Sequence, residues 1–109
     1  MYNYKAVVTR VIDGDTIIAD IDLGFNITHS QQRIRLSGLD TPAASTKAGK
    51  EATAFVKDLI EGKEVHINTF KDKKEKWGRY LGEIIIPHPK KKDINLNALL
   101  IRKKLATKL

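Results

Sequence analysis

Asp13-Gly14 stands between two runs of β-branched residues, and no other feature narrows the fold as much. Residues 5–12 read Lys-Ala-Val-Val-Thr-Arg-Val-Ile, and residues 16–23 alternate Ile17, Ala19, Ile21 and Leu23 with Thr16, Ile18, Asp20 and Asp22. β-Branched side chains favour extended backbone, and an Asp-Gly pair between two such runs predicts a tight turn in which glycine takes a positive φ. The chain is therefore expected to open as an antiparallel hairpin. A polar connection over 24–30 then leads to a third strand over 32–39, where Ile34 and Leu36 alternate with Arg33, Arg35 and Ser37.

The apolar period changes after residue 47. Ala52, Phe55, Val56, Leu59 and Ile60 recur at helical spacing and predict an amphipathic helix over 48–61. Ser45 or Thr46 suits its N-cap, and Gly62 its C-terminal stop. Strands are expected over 64–70, with Val65, Ile67 and Thr69 on one side, and over 81–86, closed by Pro87 and Pro89. A charge-dense loop over 71–78 separates them. A short helix from Asn95 to about Lys104 follows, capped by Asn95 or Asp93, with Leu96, Leu99, Leu100 and Lys103 on one stripe. The order β-β-β-α-β-β-α predicts an α+β chain, mainly β, that forms one domain over residues 1–109. A five-stranded Greek-key barrel of the OB type fits it, and an open α+β sheet is the alternative.

Composition limits what such a domain does. Its 109 residues contain no cysteine, which excludes disulfides and thiolate metal sites. No apolar run approaches a membrane span, so no membrane partner is expected. Residues 1–5 carry no hydrophobic signal region, which predicts a cytoplasmic rather than a secreted protein. The net charge of +7 is uneven: residues 1–40 sum to −1 and residues 41–109 to +8. A basic surface beside an acid-rich segment suits a protein that binds a polyanion next to a cation; a merely solvated basic face is the other reading.

The acids of that first segment fall at two places, Asp13-Gly14-Asp15 and Leu39-Asp40-Thr41-Pro42, with Arg33-Ile34-Arg35-Leu36 between them. If the strands pair as a meander, Asp15 and Asp40 converge. Two carboxylates with a backbone carbonyl form a hard-oxygen site for Ca²⁺ or Mg²⁺. Pro42 biases Thr41 toward extended backbone, fixing its carbonyl, and Arg35 is placed to grip a phosphate oxygen. Each piece alone also has a structural reading, as a turn, an Asx-turn or a solvent-facing strand residue.

Taken together and in order, five motifs point further. Residues 12–16 (Ile-Asp-Gly-Asp-Thr), 33–42 (Arg-Ile-Arg-Leu-Ser-Gly-Leu-Asp-Thr-Pro), 51–55 (Glu-Ala-Thr-Ala-Phe), 76–81 (Lys-Trp-Gly-Arg-Tyr-Leu) and 95–106 carry a resemblance to the staphylococcal nuclease-like (thermonuclease) family over nearly the whole chain. The resemblance implies an OB-fold barrel that hydrolyses phosphodiester bonds of DNA and RNA, an endonuclease using Ca²⁺, with Mg²⁺ or Mn²⁺ as possible replacements. It implies that Asp15, Asp40 and the Thr41 carbonyl hold the metal, and that Arg35 and Arg79 hold the scissile phosphate as catalytic residues. Trp77 stands where the family has a tyrosine, with a ring suited to stacking on a base of single-stranded nucleic acid. Lys71, Lys73, Lys74 and Lys76 would attract the polyanion at the rim.

Three departures accompany the resemblance. The family's catalytic glutamate is replaced by Ala43, which removes a general base of the kind that contributes on the order of 10²–10⁴-fold. The loop from Ala43 to the first helix is short. The sequence ends at Leu109, which implies that the family's C-terminal helix is missing, and Lys104 replaces a helix-ending glycine. The expected activity is an attenuated metal-dependent nuclease, with Asp13 as a possible substitute base. The alternative is an OB module that binds nucleic acid without cutting it.

Overall fold

A computed structural model describes residues 2–69 and 80–109. The elements run β1 (Tyr2–Asp13), β2 (Thr16–Asp22), β3 (Thr28–Leu36), β4 (Leu39–Asp40), α1 (Lys47–Ile60), β5 (Glu64–Thr69), β6 (Tyr80–Ile86), β7 (Ile94–Asn95), α2 (Leu96–Arg102) and β8 (Thr107–Lys108). Strands β3, β2, β1, β5 and β6 pair in that order, and β6 returns to pair with β3 in parallel through Ile34–Tyr80, Arg35–Leu81 and Leu36–Gly82. That return closes a five-stranded barrel with two helices, as the OB-type expectation required; the open sheet is ruled out.

Inside the barrel lie Ala6, Val8, Val11, Ile17, Ala19, Ile21, Ile34, Leu36, Val65, Ile67 and Ile84, all buried. In β1 the inward positions run 6, 8 and then 11, an odd step that strict alternation forbids. A register shift between Val8 and Arg10 absorbs it, as a bulge re-aims the following side chains. The backbone N–H of Val11 then donates to Glu61 Oε2 at 2.9 Å, from the end of α1. Helix α1 buries Gly49, Ala52, Val56 and Ile60 and lies against β1. Thr46, not Ser45, caps it by accepting from the Gly49 N–H, while Gly62 stops it at φ +78°.

Several boundaries move. The third strand starts at Thr28 and ends at Leu36, because Gly38 at φ +79° turns the chain and sets Leu39–Asp40 apart as β4. The β2–β3 tip is only Gly24-Phe25-Asn26, and Leu23, expected to face inward, is 45% exposed. Helix α2 ends before Lys104, which sits at φ +61°. Sequence patterning also missed the two-residue strands β7 and β8; the latter pairs with β4 through Leu39–Lys108 and Asp40–Thr107. No helix among the described residues is long and apolar enough to cross a membrane.

Candidate functional site

Strand pairing brings the site together. Thr16 is opposite Arg35 across the β2–β3 ladder, so Asp15, just before β2, lies beside Arg35. The Leu36 N–H donates to the Asp15 carbonyl at 2.8 Å, fixing the two chains there. The Arg35 guanidinium then organises the turn that follows. Its Nη1 donates to the carbonyls of Leu36 (3.3 Å) and Leu39 (3.2 Å). Its Nη2 faces Asp15 Oδ2 at 3.5 Å and pairs closely with Asp40 Oδ1. The Thr41 N–H donates to Asp15 Oδ2 at 3.4 Å. Asp15, Asp40 and Thr41, apart in sequence, are thus gathered around one guanidinium group.

Two glycines let this cluster sit against α1. A Cβ on Gly14 would come within 2.9 Å of both Ala52 Cβ and Thr41 Cγ2. The glycine is therefore needed for space, and the expected positive φ is not found there. A Cβ on Gly49 would fall 1.9 Å from the Ala43 carbonyl oxygen. That carbonyl accepts from both the N–H (2.9 Å) and the hydroxyl (2.7 Å) of Thr46, the helix cap. The segment after Asp40 is held to the start of α1, with the Ala43 side chain exposed.

Within the Asp13-Gly14-Asp15 turn the Asp15 N–H donates to Asp13 Oδ1 at 3.1 Å, and Thr16 Oγ1 donates to Asp15 Oδ1 at 3.0 Å. The two carboxyls are pushed apart in acidity. Burial raises the pKa of Asp13 above the usual carboxylate range, and the hydrogen bond to Asp15 and that neighbour's charge add to it. Burial also works to raise Asp15, but hydrogen bonds from Asp13 and Thr16, the charge of Arg35 and the Thr41 N–H outweigh it and hold Asp15 below that range. Asp15 is thus the better anion of the two. Its carboxylate, that of Asp40 and a backbone carbonyl are all oxygen donors, a set that fits a hard divalent cation. No group of three or more His, Cys, Asp or Glu gathers among the described residues, so such a cation would rely on water for the rest of its shell.

The half of this cluster that follows β2 lies in a region with a match among known proteins, whereas Asp13 and Asp15 precede that region. The family described as "Staphylococcal nuclease homologue" matches residues 33–109, which include Arg35, Asp40, Thr41 and Ala43. The chain is a member of the staphylococcal nuclease family. An "Uncharacterized endonuclease" of Escherichia coli O157:H7 is 32% identical over 96 residues, covering 87% of this chain and 54% of the relative. A "Thermonuclease" of Staphylococcus hyicus is 39% identical over 87 residues, covering 74% and 47%. The "Thermonuclease" of Staphylococcus intermedius is 37% identical over 84 residues, covering 72% and 46%. The chain spans about half the length of these staphylococcal nuclease relatives.

Arg79, Trp77, Lys71, Lys73, Lys74 and Lys76 fall outside the described residues. Sequence reading missed Asn97, which is only 5% exposed. Its amide donates to the carbonyls of Ser37 (2.9 Å) and Gly82 (3.2 Å) and accepts from the Ile84 N–H (3.1 Å), tying α2 to the β3–β6 seam behind the site. No helical period marked it, because Asn97 lies outside the stripe of Leu96, Leu99, Leu100 and Lys103.

Proposed function

We propose that this chain is a divalent-metal-dependent endonuclease that hydrolyses phosphodiester bonds of single-stranded DNA or RNA, at a rate lowered by Ala43. The observation that carries the reading is the gathering of Asp15, Asp40 and Thr41 around the Arg35 guanidinium. Asp15, Asp40 and the Thr41 carbonyl would hold Ca²⁺, or Mg²⁺ or Mn²⁺ in its place. When bound, the cation supplies positive charge beside the phosphate and lowers the pKa of coordinated water.

The chain's own residues supply the rest. Arg35, which lies beside both carboxylates, would donate to a phosphate oxygen next to the cation that they would hold. A planar guanidinium meets phosphate through two parallel hydrogen bonds, and Arg79 is assigned the same role. As water attacks, negative charge grows on the phosphoryl oxygens, so fixed cations stabilise the transition state more than the ground state. Asp13 is the substitute base, its carboxyl raised by burial toward the range in which general bases work.

A second reading, a module that binds without cutting, draws on Ala43, where the family's catalytic carboxylate is absent. Denatured DNA incubated with Ca²⁺, Mg²⁺, Mn²⁺ or chelator decides between them. The nuclease reading expects metal-dependent cleavage that Arg35→Ala abolishes and Ala43→Glu raises by about 100-fold or more. Melting curves must accompany Arg35→Ala, since Arg35 also bonds the Leu36 and Leu39 carbonyls. No cleavage by the parent with any metal, together with salt-sensitive binding, leaves the binding module.

A further inference from the structure

We propose that the end of the barrel at the β2–β3 tip, from Phe25 to the cavity behind Leu23, takes unpaired nucleobases of a single strand. The proposal rests on the nucleic-acid reading above and adds to it a subsite for rings, not phosphates.

Phe25 is the first indication. It is 98% exposed and sits at φ +55°, beside Asn26 at +60° and after Gly24 at +80°. Turns of this hand favour Gly, Asn and Asp, and a bulky ring there is unfavourable. The tip is nonetheless firmly tied. The Leu23 N–H donates to the Ile27 carbonyl and the Ile27 N–H to the Gly24 carbonyl, both at 2.9 Å, and Asp22 Oδ1 accepts from the Gly24 N–H at 2.8 Å. Leu23 and Ile27 are also 45% and 55% exposed. Local conformation is thus spent on presenting an aromatic ring to the outside.

The cavity is the second indication. It measures about 210 Å³, and its lining includes the apolar Ile21, Leu23 and Ile34, the rings of Tyr4, His29 and Tyr80, and Thr69. His29 meets Tyr80 edge-on, with centroids 6.4 Å apart and planes at 73°. The volume lies below the ~300–1,000 Å³ of sites for larger ligands. An apolar floor with aromatic rings at its rim suits one planar ring system.

Position and charge select the occupant. Ile34 lines the cavity and its neighbour Arg35 belongs to the phosphate site. From His29 to Arg35 along β3 is about 20 Å at ~3.3 Å per residue, a distance that a few nucleotides of single strand bridge. The carboxylates at this end, Asp20 and Asp22, accept from Gln31 and Gly24 N–H groups; with Glu64 they outnumber Lys5 on the same surface and would disfavour phosphates. What this end recognises is therefore the base, through stacking that tolerates any sequence.

The test is fluorescence anisotropy with a thymidine oligomer and an abasic oligomer of equal length, in chelator and in Ca²⁺. The parent is expected to bind the base-bearing strand about fivefold or more tightly. Phe25→Asn and His29→Ala should each erode that preference and leave abasic binding unchanged. Phe25→Asn should also raise the melting temperature, because Asn suits a positive φ, so lost folding is not the cause of lost binding. Equal binding of the two strands by the parent, or an undiminished preference in both variants, overturns the subsite and leaves the nuclease reading standing. A parent that binds neither strand overturns both. If the parent sediments as a dimer that Phe25→Asn dissociates, the tip is a contact between copies and the subsite falls.

Discussion

Arg35 and its carboxylates set the candidate site at the level of single residues. Here the guanidinium neutralises Asp15 and Asp40 and closes the turn through two backbone carbonyls. The nearby Asp13–Asp15 pair gives a test that needs no substrate. The folded-state pKa of Asp13 is raised above 3.8, so its favourable contribution is present below that pH and is lost as pH rises through the folded value. Asp13→Asn in chelator should therefore raise the melting temperature at neutral pH, with the gain shrinking as pH falls to about 3. Asn keeps an oxygen to accept the Asp15 N–H, so the turn should survive. A loss of stability at neutral pH would contradict the reading. Asp15 contributes in the opposite sense: its lowered pKa gives stability above 3.8 that is lost on acidification. The carboxylates themselves were legible in the sequence, because turn and strand positions follow from local patterns. Their grip on Arg35 was not, since it depends on where a side chain folds back after Gly38.

At the scale of elements, α1 acts as the surface against which the loops of the candidate site are set. Glycine inside a helix usually costs about 0.5–1 kcal/mol relative to alanine, so Gly→Ala there normally stabilises. Gly49→Ala should do the reverse. Its methyl would lie 1.9 Å from the Ala43 carbonyl oxygen, and relieving the overlap should cost about 1–3 kcal/mol, read as a lower midpoint in denaturant. If the nuclease reading is right, displacement of the segment joined to Thr41 should lower cleavage as well. Helix α1 itself was plain from its apolar spacing and its cap. Strands β4 and β8 were not, because two residues carry no period. The shifted start of β3 escaped for a related reason: residues 28–32 are polar, and only their pairing with β2 makes them a strand. The 14-position glycine was read correctly as a turn but for the wrong cause, since neighbours from α1 and Thr41 are invisible to a local pattern.

Over the whole molecule the charge separates by sequence, with a sum of −1 in residues 1–40 and +8 in the remainder. Strand binding should therefore weaken at least about tenfold between roughly 50 and 200 mM salt, measured by anisotropy, while the preference for base-bearing over abasic strands persists. A salt-independent affinity would count against phosphate contacts. The barrel's closure has a consequence for the order of events in synthesis. Arg35 lies on the parallel β3–β6 seam, whose pairing joins residue 34 to residue 80, and Asp40 lies on β4, which pairs with Thr107. Contacts so distant along the chain form late, because loop closure must come first. A nascent chain carries Asp15, Arg35 and Asp40 early, yet the ladder partners of β3 and β4 arrive only once residues 80 and 107 have been made. Until Thr107 has been made, Asp40 has no ladder partner, so the proposed site takes its final setting late in synthesis.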